Sequence, residues 1–374
     1  MTERIESVRS GGNTRPLLAL LAVLGLMSAG AARARAFTAE ERRFLAGHHA
    51  LLEASSDPCR LASRLEAQYK RLLRGARPAQ DVADILATAE GKPGVPLILG
   101  DGVRLANAFA LYDDQTRTVY LSSAALTPRV IRTAGVCPSD ESLAALARET
   151  AGVYVHEMAH SLTRKALGAG SVATSEDEIL AYAREARFLA GLKGWPSKAV
   201  AGELGRRREL DELVRKNQKI IGLVKGLQGQ DPGGDGFKKF PGYVEQLEKI
   251  RRRMELLQAR EGDVDPFQVS LAAMVDAWKD GWPAFLRMMI RQTAPMPSLG
   301  RRAENLNKSR SFLEASRAQL TEEAPGTLAH EVAERSVRLG EQDVLFWGDQ
   351  KRVEEALAYY QRRFKTVRPP PGRR

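Results

Sequence analysis

The sequence predicts an α+β protein that is mainly α. Two patterns carry that expectation. Apolar residues recur at helical spacing over most of the chain, and only Gly91 to Leu121 combines glycine, proline and short β-prone runs. A length of 374 residues, with 43% hydrophobic and 28% charged residues, suits a folded protein of about two domains at roughly 100–200 residues each.

The N-terminus is expected to lie outside the fold. Arg4, Arg9 and Arg15 precede the apolar run Leu17 to Met27, "LLALLAVLGLM", and small residues follow in "SAGAARARA". This is the layout of a secretory signal peptide, and the run is short for a membrane span. Ala34-Arg35-Ala36 fits a cleavage site, with Ala29-Gly30-Ala31 as another. Residues 1–36 are therefore expected as a signal peptide, which implies a secreted or periplasmic protein with no stable membrane span after cleavage. The alternative is an uncleaved N-terminal anchor. Cleavage after Ala36 removes five Arg and two Glu, taking the net charge from +11 to +8. The basic excess is spread over polar helix faces, as in Arg206-Arg207-Arg208 and Arg251-Arg252-Arg253, without interleaved aromatics, so no nucleic-acid partner is expected. Cys59 and Cys137 can pair in an oxidising compartment or stand as two buried thiols, and neither belongs to a C-x-x-C.

Thr38 to Arg74 reads as helix, opened by a Thr38/Glu41 capping box and carrying Leu61, Leu65, Tyr69 and Leu72 at helical spacing. Asp81 to Glu90 is a second helix. "GKPGVPLILGDG" (Gly91 to Gly102) then introduces a small sheet, with strands at Ala108 to Tyr112 and Thr118 to Leu121 around the turn "DDQTR". A long helix opens at Pro138-Ser139, has Asp140 and Glu141 in its first turn, and runs to Leu167, where Gly168 ends it. Glu176 to Leu189 is the next helix.

The remainder reads as helices only. Leu210, Leu213, Val214, Ile221, Val224 and Leu227 form one apolar stripe. Tyr243, Leu247, Ile250, Met254 and Leu257 form another, with the alternating four-and-three steps of a coiled coil. The turn "GQDPGGDG" between them predicts a long antiparallel helical hairpin. More helices are expected from Val269 to Lys365, and residues 366–374 as a disordered tail. The expected domains are 37–194, catalytic, and 195–365, helical.

The chemistry is concentrated in "VYVHEMAHSL", Val153 to Leu162. Residues four apart on a helix point the same way, so His156 and His160 can offer ring nitrogens to one metal ion. Zinc favours imidazole and carboxylate donors and keeps one position open for water at a catalytic site. Glu157, directly after the first histidine, is placed to act as general base on that water. With five histidines in the chain, a chance match to H-E-x-x-H is rare. The motif also lies in a proline-free helix whose flanking residues are uncharged.

A third ligand must come from elsewhere, and the next histidine is the distant His330. Glu178, in the first turn of the following helix, is the favoured ligand. Glu185 is the second choice, or else a partner that orients a histidine ring. Glu176 and Asp177 are expected as solvated charges favoured by the helix dipole. Tyr154, Tyr182 and His330 are candidate oxyanion donors, each with a plainer reading as a packing or surface residue. His48-His49 are expected to be exposed.

"VYVHEMAHSL" followed by "SEDEILAYAREARFL" resembles the zincin metallopeptidases, in the gluzincin arrangement of H-E-x-x-H on one helix and Glu on the next. The resemblance covers roughly Pro96 to Leu189. It implies a zincin-like catalytic domain, Zn²⁺ held by His156, His160 and Glu178, a small sheet whose edge strand pairs with extended substrate, and hydrolysis of a peptide or protein substrate. One departure stands out: gluzincins often carry an acidic residue four after the glutamate ligand, and here that position is Tyr182. Two other readings compete with a zinc peptidase. One is a zinc-binding but non-hydrolytic helical interaction protein of the cell envelope; the other is a helical interaction protein without metal.

Overall fold

The computed structural model of the chain describes residues 53–76, 80–91, 94–101, 108–114, 116–134, 137–168, 174–227, 234–235, 237–259 and 264–369. The signal peptide, the Thr38/Glu41 capping box, His48-His49, most of "GQDPGGDG" and residues 370–374 lie outside the described residues. The described chain is mainly helical with one small sheet, as expected. It divides into two units: Met1–Phe188 with Leu286–Arg368, and Leu189–Phe285 with Pro369–Arg374.

The first unit is built on a sheet of β1 (Glu53–Ala54), β2 (Leu97–Asp101), β3 (Ala110–Asp113) and β4 (Thr118–Ser122), in the order β1-β2-β4-β3. β2 and β4 run parallel, and the other two pairs are antiparallel. β4 is central and its five residues are all buried, which explains why "TVYLS" is rich in β-branched and aromatic side chains. β3 is an edge strand, joined to β4 by the expected turn, in which Arg117 takes a left-handed conformation (φ 54°).

Around the sheet lie α1 (Leu61–Gly75), α2 (Gln80–Glu90), α3 (Ser123–Ala134) and α4 (Asp140–Leu167). The expected helix from Thr38 does not run through to α1. Residues 53–54 are strand, and Asp57-Pro58 interrupts the chain, because proline disfavours helical backbone in the residue before it. Asp57 then accepts hydrogen bonds from the Leu61 and Ala62 N–H groups, satisfying the start of α1. α3 was not among the expected elements.

α4 matches its sequence signals closely. Ser139 caps it by accepting from the Ser142 N–H, and Gly168, at φ 81°, ends it. Every residue from Thr150 to Ala159 is buried, so the helix is enclosed on all sides at its middle. Tyr69 of α1 stacks on Tyr154 with ring centroids 4.7 Å apart, and its hydroxyl meets Thr150 Oγ1 at 2.7 Å. Tyr154 is therefore a core residue between α1 and α4.

The helix expected at Glu176 is α5 (Ser175–Gly191). The second unit contains α6 (Lys198–Lys225), α7 (Phe240–Gln258) and α8 (Pro266–Lys279). Val200 and Leu204 of α6 form a small core with Val269 and Ala272 of α8. Further along, α6 lies beside α7: Arg206 donates to the Leu257 carbonyl at 2.9 Å, and Glu209 pairs with Arg253 at 2.6 Å. Advancing along α6 means retreating along α7, so the two helices are antiparallel.

α9 (Trp282–Thr293), α10 (Arg302–Glu322), α11 (Leu328–Gly348) and α12 (Gln350–Val367) complete the chain. The linear division at residue 194/195 needs correction, because residues 286–368 belong with the first unit. Long-range polar contacts make the return. Arg335 of α11 pairs with buried Asp113 of β3 at 3.0 Å, and the Ser175 N–H donates to the Pro297 carbonyl at 2.9 Å. α10 and α11 approach so closely that a Cβ at Gly340 would stand 3.1 Å from the Leu313 Cα. The expected tail also starts later: α12 continues to Val367, which is fully buried, and Arg187 donates to the Thr366 carbonyl.

Cys59 and Cys137 form a disulfide between residues 78 apart in sequence. Closing a loop of that length restricts the unfolded chain by about 4.5 kcal/mol. Replacing both cysteines by serine is expected to lower the unfolding free energy by about that amount, read from urea melts with the metal state held constant.

Candidate metal centre

α4 and α5 bring together the three residues proposed as ligands. His156 and His160 stand one turn apart on α4, ring centroids 4.9 Å from each other. Glu178 projects from the first turn of α5, with Oε2 3.3 Å from His156 Nε2 and Oε1 3.6 Å from His160 Nε2. One donor atom from each of the three lies within 4.8 Å of the others, so the cluster can hold a metal ion. Two donors sharing a tetrahedral ion, at bonds of about 2.0–2.1 Å, stand about 3.4 Å apart. The histidine-to-Glu178 distances match that spacing.

The Nδ1 atoms face outward, each toward its own carboxylate. His160 Nδ1 meets Asp177 Oδ2 at 2.9 Å, and His156 Nδ1 lies 3.3 Å from Glu185 Oε2. The first is a hydrogen bond; the second is an ion-pair approach without hydrogen-bond alignment. Glu178 thus lies between the two rings and Glu185 behind His156. Carboxylates behind ligand histidines fix the ring and its tautomer, turning Nε2 inward.

The expectation for Glu176 and Asp177 is corrected here. Asp177 is buried and Glu176 is half-buried, and both are engaged by other side chains. Asp177 is 7% exposed and its backbone N–H is capped by Thr174 Oγ1, while the Tyr360 hydroxyl interacts with the Thr174 and Asp177 side chains. Glu176 accepts from Ser298 Oγ at 2.8 Å and from the Leu299 N–H at 3.2 Å. Glu176 finds Ser298 and Leu299, and Asp177 finds Tyr360 in addition to His160, so each has a partner more than a hundred residues downstream that no local pattern encodes. Tyr182 packs edge-on against His156, with centroids 4.4 Å apart.

Glu157 lies beside the histidines, 8% exposed, and its Oε2 accepts the Tyr112 N–H of β3 at 2.7 Å. Burial pushes its carboxyl up, opposed by the two histidines and by the Tyr112 N–H. Two ion pairs anchor β3 and its turn: Arg335 holds Asp113, and Arg164 of α4 holds Asp114. Burial raises Asp114 to about 6 against the pull of Arg164. Arg184, 1% exposed, donates to the Ala159 carbonyl at 3.3 Å and ties α5 to α4 next to His160. Of the proposed oxyanion donors, only Tyr182 touches the cluster. His330 contacts the Glu323 carbonyl and Glu334 instead.

Comparison with protein-family models, with curated proteins and with solved structures returns no match.

Burial acts to lower the pKa of both histidines, but the surrounding carboxylates win. His160 is raised to about 9 by Asp177 and Glu178, and His156 is raised by Glu178 and Glu185. The carboxylates thus favour protons on the metal-free rings, and a metal ion competes with those protons. Apparent metal affinity is expected to rise with pH up to about 9, with protons released on binding; calorimetry in buffers of different ionisation enthalpy measures both. Asp177→Asn and Glu185→Gln are each expected to weaken metal binding about 10–100-fold, measured by competition with a chelator.

Proposed function

We propose that the chain is a zinc-dependent peptidase of an oxidising compartment, secreted or periplasmic. The observation that carries the reading is the convergence of His156, His160 and Glu178 on one point, with Glu157 beside them and outside the ligand set. Two imidazoles and one carboxylate suit zinc, and three protein donors leave a position open, as catalytic rather than structural sites do. Zinc held there lowers the pKa of a bound water to about 7 and polarises a substrate carbonyl.

The chain's own groups supply the rest. Glu157 holds and moves the proton. Its Oε2 is engaged by the Tyr112 N–H, so Oε1 is the atom that accepts the proton and later delivers it to the leaving amine. Asp177 and Glu185 keep the imidazoles aimed at the centre. Tyr182, against His156, is the group best placed to donate to a developing oxyanion.

A zincin-like arrangement of the catalytic unit is supported by edge strand β3 lying against the H-E-x-x-H helix, where an extended peptide can add to the sheet. The compartment is supported by the signal-like N-terminus and by the Cys59–Cys137 bridge. The competing reading is a metal-holding, non-hydrolytic interaction protein, favoured by exposed apolar side chains on α6 and α7. It gives the buried Glu157 carboxylate no task beyond accepting the Tyr112 N–H.

Glu157→Gln separates the two. It is expected to reduce hydrolysis of a casein or mixed-peptide substrate by about 10²–10⁴-fold while one zinc per chain is retained, whereas His160→Ala loses the metal. Undiminished hydrolysis by Glu157→Gln would overturn the mechanism.

A further inference from the structure

The apolar stripes on α6 and α7 ask for more neighbours than the second unit provides. Of the eleven stripe residues, Leu227, Ile250 and Leu257 are buried. Val214 and Ile221 of the stripes are exposed, as are their neighbours Leu223, Phe240, Val244 and Leu256, and together they make up six of the eight large exposed hydrophobic residues in the described chain. A helix layer with apolar flanks on a folded protein marks an interaction surface. Two grooves line the α6/α7 seam. One, of about 490 Å³, includes Ile221, Val244, Leu247 and Met254. The other, of about 570 Å³, includes Leu213, Leu223 and Tyr243.

Charge distinguishes the grooves. The second is edged by Lys216, Lys219 and Lys249 and contains no acidic residue. Lys216 and Lys249 are paired with Glu212 and Glu245 along their own helices, outside the groove. Two copies meeting there would bring like charges together. The first is edged by Glu248, Arg251 and Glu255 on one helix, where Arg251 lies 3.6 Å from Glu255 and Glu248 lies 3.9 Å from Arg252 across exposed, solvent-facing pairs. About a two-fold axis, Arg251 of one copy can meet Glu248 or Glu255 of the other, and symmetry forms each such pair twice. That edge complements itself.

We infer that the α6/α7 pair is a self-association surface, on which a second copy of this chain docks through the Ile221–Val244–Met254 groove to close a four-helix bundle. Ile221, Leu247 and Met254 of the stripes, with Val244, then become bundle interior. The lysine-edged groove stays outside. The inference does not depend on the chemistry proposed for the metal centre.

Sedimentation equilibrium of the purified chain tests it, with circular dichroism to verify folding of each variant. A dimer is expected in the micromolar range. Val244→Glu and Arg251→Glu should each weaken it at least about tenfold, and Leu223→Glu on the lysine-edged side should leave it unchanged. Mixing Arg251→Glu with a Glu248→Arg/Glu255→Arg chain should restore association as a heterodimer. A monomer at all concentrations would overturn the proposal. So would a dimer insensitive to Val244→Glu and Arg251→Glu, or one dissolved by Leu223→Glu alone.

Discussion

Four carboxylates close on two imidazoles in the interior of the first unit, and the surrounding structure is organised by that burial of charge. Glu157, Asp177, Glu178 and Glu185 surround His156 and His160, each with a relative exposure or side-chain exposure below a fifth. Burying anions costs several kcal/mol apiece unless they are compensated. In the metal-free chain the carboxylates favour protons on both rings, and a cation held by the rings would take over that compensation.

Holding carboxylates at such distances requires rigid backing, and much of it comes from the C-terminal return. The segment before α10 receives Glu176, α12 places Tyr360 against Thr174 and Asp177, and α11 grips Asp113 beneath the strand whose Tyr112 N–H holds Glu157. They fix the start of α5 and the end of β3, and those two points set where Glu178 and Glu157 stand.

What was legible in the sequence were features encoded over a few residues. Ser139 and Gly168 bracket α4 where their capping chemistry predicts, the β3–β4 turn follows "DDQTR", and the spacing of His156, Glu157 and His160 gives one helix face. Glu178 was legible as a first-turn carboxylate on the next helix. Asp177 was not, because beside Glu176 and Glu178 it looks like any charge at a helix start; its partner ring lies on another helix and its cover on a third. The return of residues 286–368 was equally hidden, since the contacts that make it span 120 residues or more. Near Pro58 a local rule was available, and the apolar periodicity on either side obscured it.

The bridge from Cys59 to Cys137 encircles α1, α2, strands β2 to β4 and α3 within one covalent ring, and its far end lies just before the helix carrying His156 and His160. A single backbone cut anywhere from residue 60 to 136 therefore opens the ring without releasing a fragment. The nicked chain stays tethered at the threshold of α4, its sheet held next to its partner helices at high effective concentration. For a protein read as a peptidase, and so exposed to cleavage by its own kind, that topology turns a cut in the sheet region from loss of a fragment into a tolerated break.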